Sequence, residues 1–235
     1  VVADTENQKA KELEMTLFIS ICAENVLSHI QQIVFKHFHE RDIVFSSFLM
    51  ASFGIIRDMY REQKDFLLVD IGGEVTDISM VKDQVLSESV SYPMGINSVI
   101  RTISISLNCT LDIAKSLFAL YKEGHMEEKE KEKIEPIINN IKSFWLKQFQ
   151  SSLSSLSHDI SIPATIFLTL DREYADFFTE IIKTEQFSQY TLTESKFKII
   201  FLNTDTLHGV ATFENDTIRD PFLILDTVFI NRFSK

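Results

Sequence analysis

FLLVDIGGEVTDISMVK, residues 66–82, decides how the chain is read. Phe66 to Ile71 is an apolar run of strand length, fit for the middle of a sheet with both faces buried. Gly72-Gly73 breaks the run. Val75 to Lys82 predicts a second strand and Val85 to Tyr92 a third, with Lys82-Asp83-Gln84 as the turn between them. Strands joined by such short connections pair antiparallel, because a parallel crossover takes a dozen residues or more. The first joint also carries chemistry. Two adjacent glycines let the backbone bend tightly and let a bulky ligand approach its amides. Asp70, at the tip of the first strand, can hold a hydrated divalent ion. Glu74 and Asp77 add carboxylates and Thr76 a hydroxyl. On local chemistry alone, Asp70 to Asp77 reads either as a cradle for phosphates with Mg²⁺ or as an ordinary Gly-Gly hairpin with an acidic rim.

Beyond the meander, Pro93 and Gly95 end the strands, and Asn97 or Ser98 can cap a helix to about Leu107. Thr110 can cap the next helix, with Asp112 in its first turn and Gly124 as its stop. The Glu/Lys run from Glu127 to Glu135 reads as a solvated face. It leads into a long amphipathic helix whose Ile134, Ile137, Ile138, Ile141, Phe144, Trp145, Phe149 and Leu153 recur at helical spacing as a core stripe, with Ser151 to Ser157 expected to fray. Ala164 to Leu170 predicts a buried strand, Glu173 to Lys183 a helix started by Asp171, and Lys196 to Leu202 and His208 to Phe213 two more strands. Asp220-Pro221 opens a last helix ending near Phe233. Ahead of the meander, Glu14 to Cys22 predicts a strand and Ala23 to Phe38 a helix. Asp42 to Phe45 predicts a short buried strand, and a further helix, capped by Ser46 or Ser47, runs to Tyr60. Three antiparallel strands followed by helix–strand alternation describe an α/β chain: a mixed sheet with helices on both faces.

Composition sets the outer limits. With 235 residues and 45% apolar side chains the chain has one large domain or two small ones and a real core, not a disordered tail or a disulfide-stapled mini-protein. Its 23 basic residues against 34 acidic ones give a net charge of -11, which phosphate repels, so no nucleic-acid partner is expected. Cys22 and Cys109 form no C-x-x-C pair and read as buried or half-buried free thiols. His37 and His39 have the wrong spacing for ligands on one helical face, and no zinc motif appears. No apolar run reaches the ~18 residues of a membrane span. The N-terminal residues lack the basic-then-apolar plan of a secretion signal, so the cytoplasm is the expected compartment.

At Leu68-Val69-Asp70-Ile71-Gly72-Gly73, with Thr76-Asp77 behind it, the chain resembles the second phosphate loop of the actin/Hsp70/sugar-kinase ATPase fold. The likeness continues through Tyr92-Pro93-Met94-Gly95, the helix from Ile96 to Leu107, and Thr110-Leu111-Asp112-Ile113-Ala114-Lys115. That stretch is similar to the G-x-I-T…A-E-x-x-K region of bacterial actin homologues. FtsA-type cell-division proteins and PilM-type pilus assembly proteins are the relatives it looks most like. The resemblance implies an actin-like ATPase (ribonuclease H-like) fold, with residues 61–235 as the second lobe and residues 1–60 as the remnant of an SHS2-like subdomain plus a connecting helix. It implies ATP and Mg²⁺ as cofactors. Asp70 would position Mg²⁺ through water; Gly72, Gly73 and Thr76 would contact the phosphates, with Glu74 and Asp77 as accessory groups. It implies a cytoplasmic organiser of a membrane-associated machine, in cell division or type IV pilus assembly. Such an organiser would be peripheral to the inner membrane, meet an FtsZ-like or pilus membrane protein there, and self-assemble.

Three departures weaken the expectation of hydrolysis. Glu74 stands where the loop commonly has glycine, so its side chain must turn outward or oppose the phosphate charge. The Gly-Gly adenosine loop is matched by Thr165 to Glu173, which has no glycine and whose Arg172 could fill the adenine cleft. The first phosphate loop, expected near the start of such proteins, is absent from these residues, and phosphoryl transfer depends on positioning from both sides. The expectation is therefore a weak ATPase at most, with no catalytic residue assigned. The alternatives are a scaffold or binding module of the same fold whose nucleotide site has decayed, and a mixed α/β domain whose Gly-Gly turn is incidental. The final helix, Pro221 to Phe233, lacks the basic face of an interfacial anchor and is expected to pack on the sheet.

Overall fold

The computed structural model describes residues 17–40, 42–157, 161–184, 196–207, 210–211 and 220–233. The chain divides into two compact units: residues 62–224, and residues 1–61 with 225–235.

The larger unit is built on the predicted meander. β1 (Phe66–Ile71), β2 (Thr76–Lys82) and β3 (Val85–Tyr92) pair antiparallel. β4 (Thr165–Leu170) and β5 (Lys198–Phe201) extend the sheet in parallel from β1, giving the order β3-β2-β1-β4-β5. The β2–β3 turn uses two left-handed residues, Asp83 (φ 47°) and Gln84 (φ 63°). This two-residue turn matches the twist of its strands. Neither residue is glycine, so the conformation is held from outside: the Asp83 amide donates to the Asp65 carboxylate at 2.8 Å and the Gln84 amide to the Lys64 carbonyl at 3.0 Å.

Register sorts the strand residues onto two faces. Leu67, Val69 and Ile71 of β1 share a face with Ile78 and Met80 of β2 and with Ile166, Leu168 and Leu170 of β4. Onto it pack α3 (Ile96–Leu107), α4 (Leu111–Glu123), α5 (Glu128–Ser157) and α6 (Ala175–Thr184), forming one apolar cluster. Trp145 of α5 is fully buried there, stacked on Phe149 at 5.1 Å between ring centres and tilted against Phe178 at 5.2 Å. The opposite face carries Phe66, Leu68 and Asp70 of β1, Asp77, Ser79 and Val81 of β2, and Phe167 and Thr169 of β4. Its apolar members are buried too, the rings of Phe66 and Phe167 meeting edge to face at 5.1 Å.

Two expectations in this unit need correction. α5 does not fray over its serines: Ser152, Leu153 and Leu156 are buried, so the apolar stripe runs to the last turn and holds the helix to Ser157. α3 starts at Ile96, ahead of both proposed caps; its first amides are bound by backbone carbonyls instead of a side chain. Of the strand expected over His208 to Phe213, only Val210 and Ala211 lie among the described residues.

In the smaller unit, α1 (Glu24–Phe38) has no buried residue, whereas α2 (Phe48–Met59) buries Phe53, Ile55 and Ile56. Ser47 caps α2 through its hydroxyl, which accepts from the Met50 amide at 3.3 Å. α7 (Pro221–Phe233) enters this unit at Leu225, and its Arg232 donates to the Asp58 carboxylate of α2 at 2.8 Å. The strand expected over Glu14 to Cys22 is not found. Residues 14–16 lie outside the described set, and residues 17–22 are irregular, with Leu17, Ile19 and Ile21 exposed. Asp42 to Phe45 is neither a strand nor buried, and Cys22 is exposed. A strand exists only where its backbone finds a neighbour to bond, and none of the described residues pairs with these segments.

Candidate functional site

The loop between β1 and β2 is fixed by its back. The Gly72 carbonyl accepts from the Ile96 amide at 2.9 Å, and the Gly73 carbonyl from the Asn97 amide at 2.7 Å. Two of the otherwise unpaired amides at the N-terminus of α3 are thus spent on the loop. Gly95, the residue before α3, makes this possible: a Cβ there would lie 2.3 Å from the Gly72 carbonyl oxygen and 2.6 Å from that of Gly73.

Planarity of the peptide then dictates what the front of the loop presents. In a trans peptide the N–H points opposite to the C=O of the same unit, and no cis bond occurs here. With the Gly72 and Gly73 carbonyls aimed at α3, the amides of Gly73 and Glu74 face away from it. Neither amide, nor that of Val75, donates to an acceptor among the described residues, whereas the Gly72 amide is taken by the Val75 carbonyl at 2.9 Å. Consecutive outward amides of this kind form an anion-binding concavity.

Glu74 turns the other way. Its carboxylate accepts two hydrogen bonds from the Arg101 guanidinium, at 2.8 and 2.6 Å, and one from Asn97 Nδ2 at 3.0 Å. Arg101 first, then Asn97, lowers the exposed Glu74 carboxyl from its ordinary range to about 2. The anionic side chain and the open amides thus lie on opposite sides of the loop.

Asp70 and Asp77 are cross-strand partners on the sheet face turned away from α3. Asp70 accepts from the Thr169 hydroxyl at 2.7 Å, and Asp77 from the Ser91 hydroxyl. Burial raises the Asp70 carboxyl from 3.8 to about 6, the Thr169 hydrogen bond lowers it in part, and the Asp77 charge raises it further. Two facing carboxylates, one of them largely desolvated, favour a cation between them and bulk solvent. No cluster of three or more His, Cys, Asp or Glu ligands occurs among the described residues. A Mg²⁺ held here would draw its remaining ligands from water and phosphate, as that ion commonly does.

Thr76 belongs to the other side of the sheet. It is fully buried, its hydroxyl donates to the Met94 carbonyl at 2.7 Å, and the Trp145 indole donates to it at 3.4 Å. Of the six residues singled out from sequence, Gly73, Glu74, Asp70 and Asp77 line the loop front or its margins. Gly72 serves the turn, and the Thr76 side chain serves the core. Asn97, Arg101, Ser91 and Thr169 were not singled out. Thr169 ends a buried strand just as Asp70 does, but only the parallel register of β1 with β4 brings them together. Asn97 and Arg101 stand four apart on one helix face, a spacing visible in the sequence with nothing there to say what it faces.

Just past the C-terminal end of β4, at the same sheet edge as the glycine loop, Asp171 caps a single 3-10 turn, Arg172–Tyr174. Arg172 is exposed, while Tyr174 is buried and stacked on Phe118 of α4 at 5.8 Å. Lys122 of α4 locks this turn by donating to the Glu173 carbonyl at 2.6 Å, its ammonium 4.8 Å from the centre of the Tyr174 ring. Burial first, then the Glu173 and Asp171 charges, pushes the Tyr174 phenol up to about 12.

A mixed five-stranded sheet of order β3-β2-β1-β4-β5 with helices packed on it fits an α/β, actin-like ATPase fold. Among solved structures the chain is similar to the PilM–PilN type IV pilus biogenesis complex, with 15% identity over 81% of this chain and 52% of that one, and a TM-score of 0.56. It is also similar to MreB 5 of Spiroplasma citri bound to AMPPNP, with 13% identity over 91% of this chain and 66% of that one, and a TM-score of 0.48. The archaeal actin homologue Ta0583 aligns at 14% identity over 79% of this chain and 54% of that one, with a TM-score of 0.44. At 15% identity the likeness to the PilM–PilN structure establishes the fold alone. The chain spans about half the length of the PilM–PilN structure's chain, 52%. No protein-family model matches the sequence, and no curated protein matches it.

Proposed function

We propose that this chain carries the phosphate-gripping half of an actin-like nucleotide site and works as an organiser of a membrane-associated assembly. The observation that supports this most is the loop itself: Gly73 and Glu74 direct their amides away from α3 because α3 holds the two preceding carbonyls. The phosphates of ATP would lie against these amides. Mg²⁺, beside Asp70 and Asp77, would neutralise phosphate charge; the residues fit it, since two facing carboxylates need a counter-charge. Gripping from one side supports binding more than turnover, because phosphoryl transfer needs groups on both sides of the phosphate. Hydrolysis is therefore not assigned to these residues.

The organiser role draws on the fold likeness to a protein whose structure is described as a PilM–PilN complex. By that analogy the chain would dock a membrane protein of a pilus-type machine from the cytoplasmic side. The alternative, a nucleotide-free scaffold of the same fold, is favoured by the glycine-free turn after β4, where Tyr174 is packed into the core and Lys122 bolts the turn shut.

Thermal melting with and without Mg·ATP separates the two. A ligand that binds only the native state at 100 times its Kd stabilises it by about 2.7 kcal/mol. The nucleotide reading expects a concentration-dependent rise in Tm that Asp70→Ala diminishes. No rise at millimolar Mg·ATP would favour the scaffold.

A further inference from the structure

The phosphate loop of this chain contains an anion of its own. Glu74 contributes its amide to the outward-facing concavity, and its carboxylate is attached to the same residue. An unrestrained glutamate side chain sweeps both sides of its own backbone, so a free Glu74 would spend time over the amides that a phosphate must occupy. Here it does not. Arg101 takes both carboxylate oxygens in a fork, at 2.8 and 2.6 Å, and Asn97 adds a third bond at 3.0 Å, all from the α3 side. Arg101 is itself steadied by the Ser98 hydroxyl at 3.3 Å.

We propose that Arg101 is a positioning residue that keeps the anion face of the loop open by parking the Glu74 carboxylate behind it, without touching the bound anion. The proposal rests on the reading of the loop as a phosphate site. It explains how a glutamate is tolerated where the sequence leads one to expect repulsion. Loss of Arg101 frees a negative charge within about 5 Å of a multiply charged phosphate, which in a water-like dielectric weakens binding roughly five- to tenfold. Because the Arg101–Glu74 pair is exposed, its loss changes stability little.

The test is calorimetric titration of the full chain with Mg·ATP, and with Mg·pyrophosphate as a probe free of adenosine, on Arg101→Ala, Glu74→Gln and the double variant. Melting curves serve as the check on folding. Arg101→Ala is expected to weaken both ligands about five- to tenfold, and Glu74→Gln, which leaves the Arg101 charge unpaired beside the loop, to strengthen them. The double variant is expected to recover the affinity of the parent, since neither the carboxylate to be parked nor its guanidinium partner remains. A double variant as weak as Arg101→Ala would mean that Arg101 touches the phosphate or shapes the loop, and would overturn the proposal. So would Arg101→Ala binding as the parent does. If neither the parent nor the double variant binds either probe, the phosphate reading of the loop fails, and the proposal with it.

Discussion

Gly95 sits where no side chain fits. Its φ is negative, so the demand is for space, not for a left-handed backbone. A methyl group there would be driven into the main-chain oxygens of Gly72 and Gly73, which have no room to retreat because α3 holds both. At Gly73 the nearest obstacle is the movable Asn97 side-chain amide, at 2.9 Å. We therefore expect Gly95→Ala to cost about 2–4 kcal/mol and Gly73→Ala about 1 kcal/mol or less, measured by chemical denaturation. Equal costs would mean that the loop is not clamped between the two carbonyls and the helix.

The Asp70 carboxyl makes a second prediction at the same scale. Its folded value is raised to about 6 from 3.8, so the folded chain binds that proton more tightly than the unfolded one. The stabilisation is complete below pH 4 and is lost as the pH climbs to about 6. Asp70→Asn should remove this decline and leave the variant more stable than the parent at pH 7 by roughly 1–3 kcal/mol. Denaturation midpoints at pH 4.5 and pH 7 would show it; a parallel fall in parent and variant would contradict it. Asp70 itself was legible, since a carboxylate closing an apolar strand is conspicuous. The raised value was not, because it depends on burial and on Asp77, which only the strand register brings opposite.

Among the elements, α5 shows what periodicity resolves and where composition misleads. The apolar spacing from Ile134 to Leu153 located the helix. The serines from Ser151 to Ser157 suggested a frayed end, yet Leu153, already in the stripe, and Leu156 beyond it are buried in a helix that runs to Ser157. Leu153→Ala should cost about 2–4 kcal/mol, as a core truncation does, and Ser154→Ala, on the exposed side, less than about 0.5. Comparable small effects would mean that the last turns are frayed. Helices α1, α2, α4 and α7 were likewise readable from caps and spacing, because a helix bonds to itself. The segments at 17–22 and 42–45 were misread as strands because β-forming side chains describe a preference, and a strand also needs a neighbour. The clasp of the loop on α3 could not be read at all. It is made by main-chain carbonyls, and its only sequence trace is a glycine placed just before a helix.

For the whole molecule, the order of three antiparallel strands followed by two parallel ones gives the actin-like arrangement and sets the glycine loop at the end of the central strand. The chain covers about half, 52%, of the PilM–PilN structure's chain. Nucleotide turnover, assembly and the partner are therefore questions for the protein in its working context. What can be asked of this chain alone is whether its loop holds a phosphate. Amide resonances answer that most directly, in a ¹⁵N-labelled sample titrated with Mg·ATP. A phosphate held by the loop produces saturable shifts at Gly73 and Glu74, with Gly72, whose amide is already bonded to the Val75 carbonyl, moving far less. Gly73 and Glu74 unmoved at saturating nucleotide, or shifts confined to another part of the chain, would contradict it.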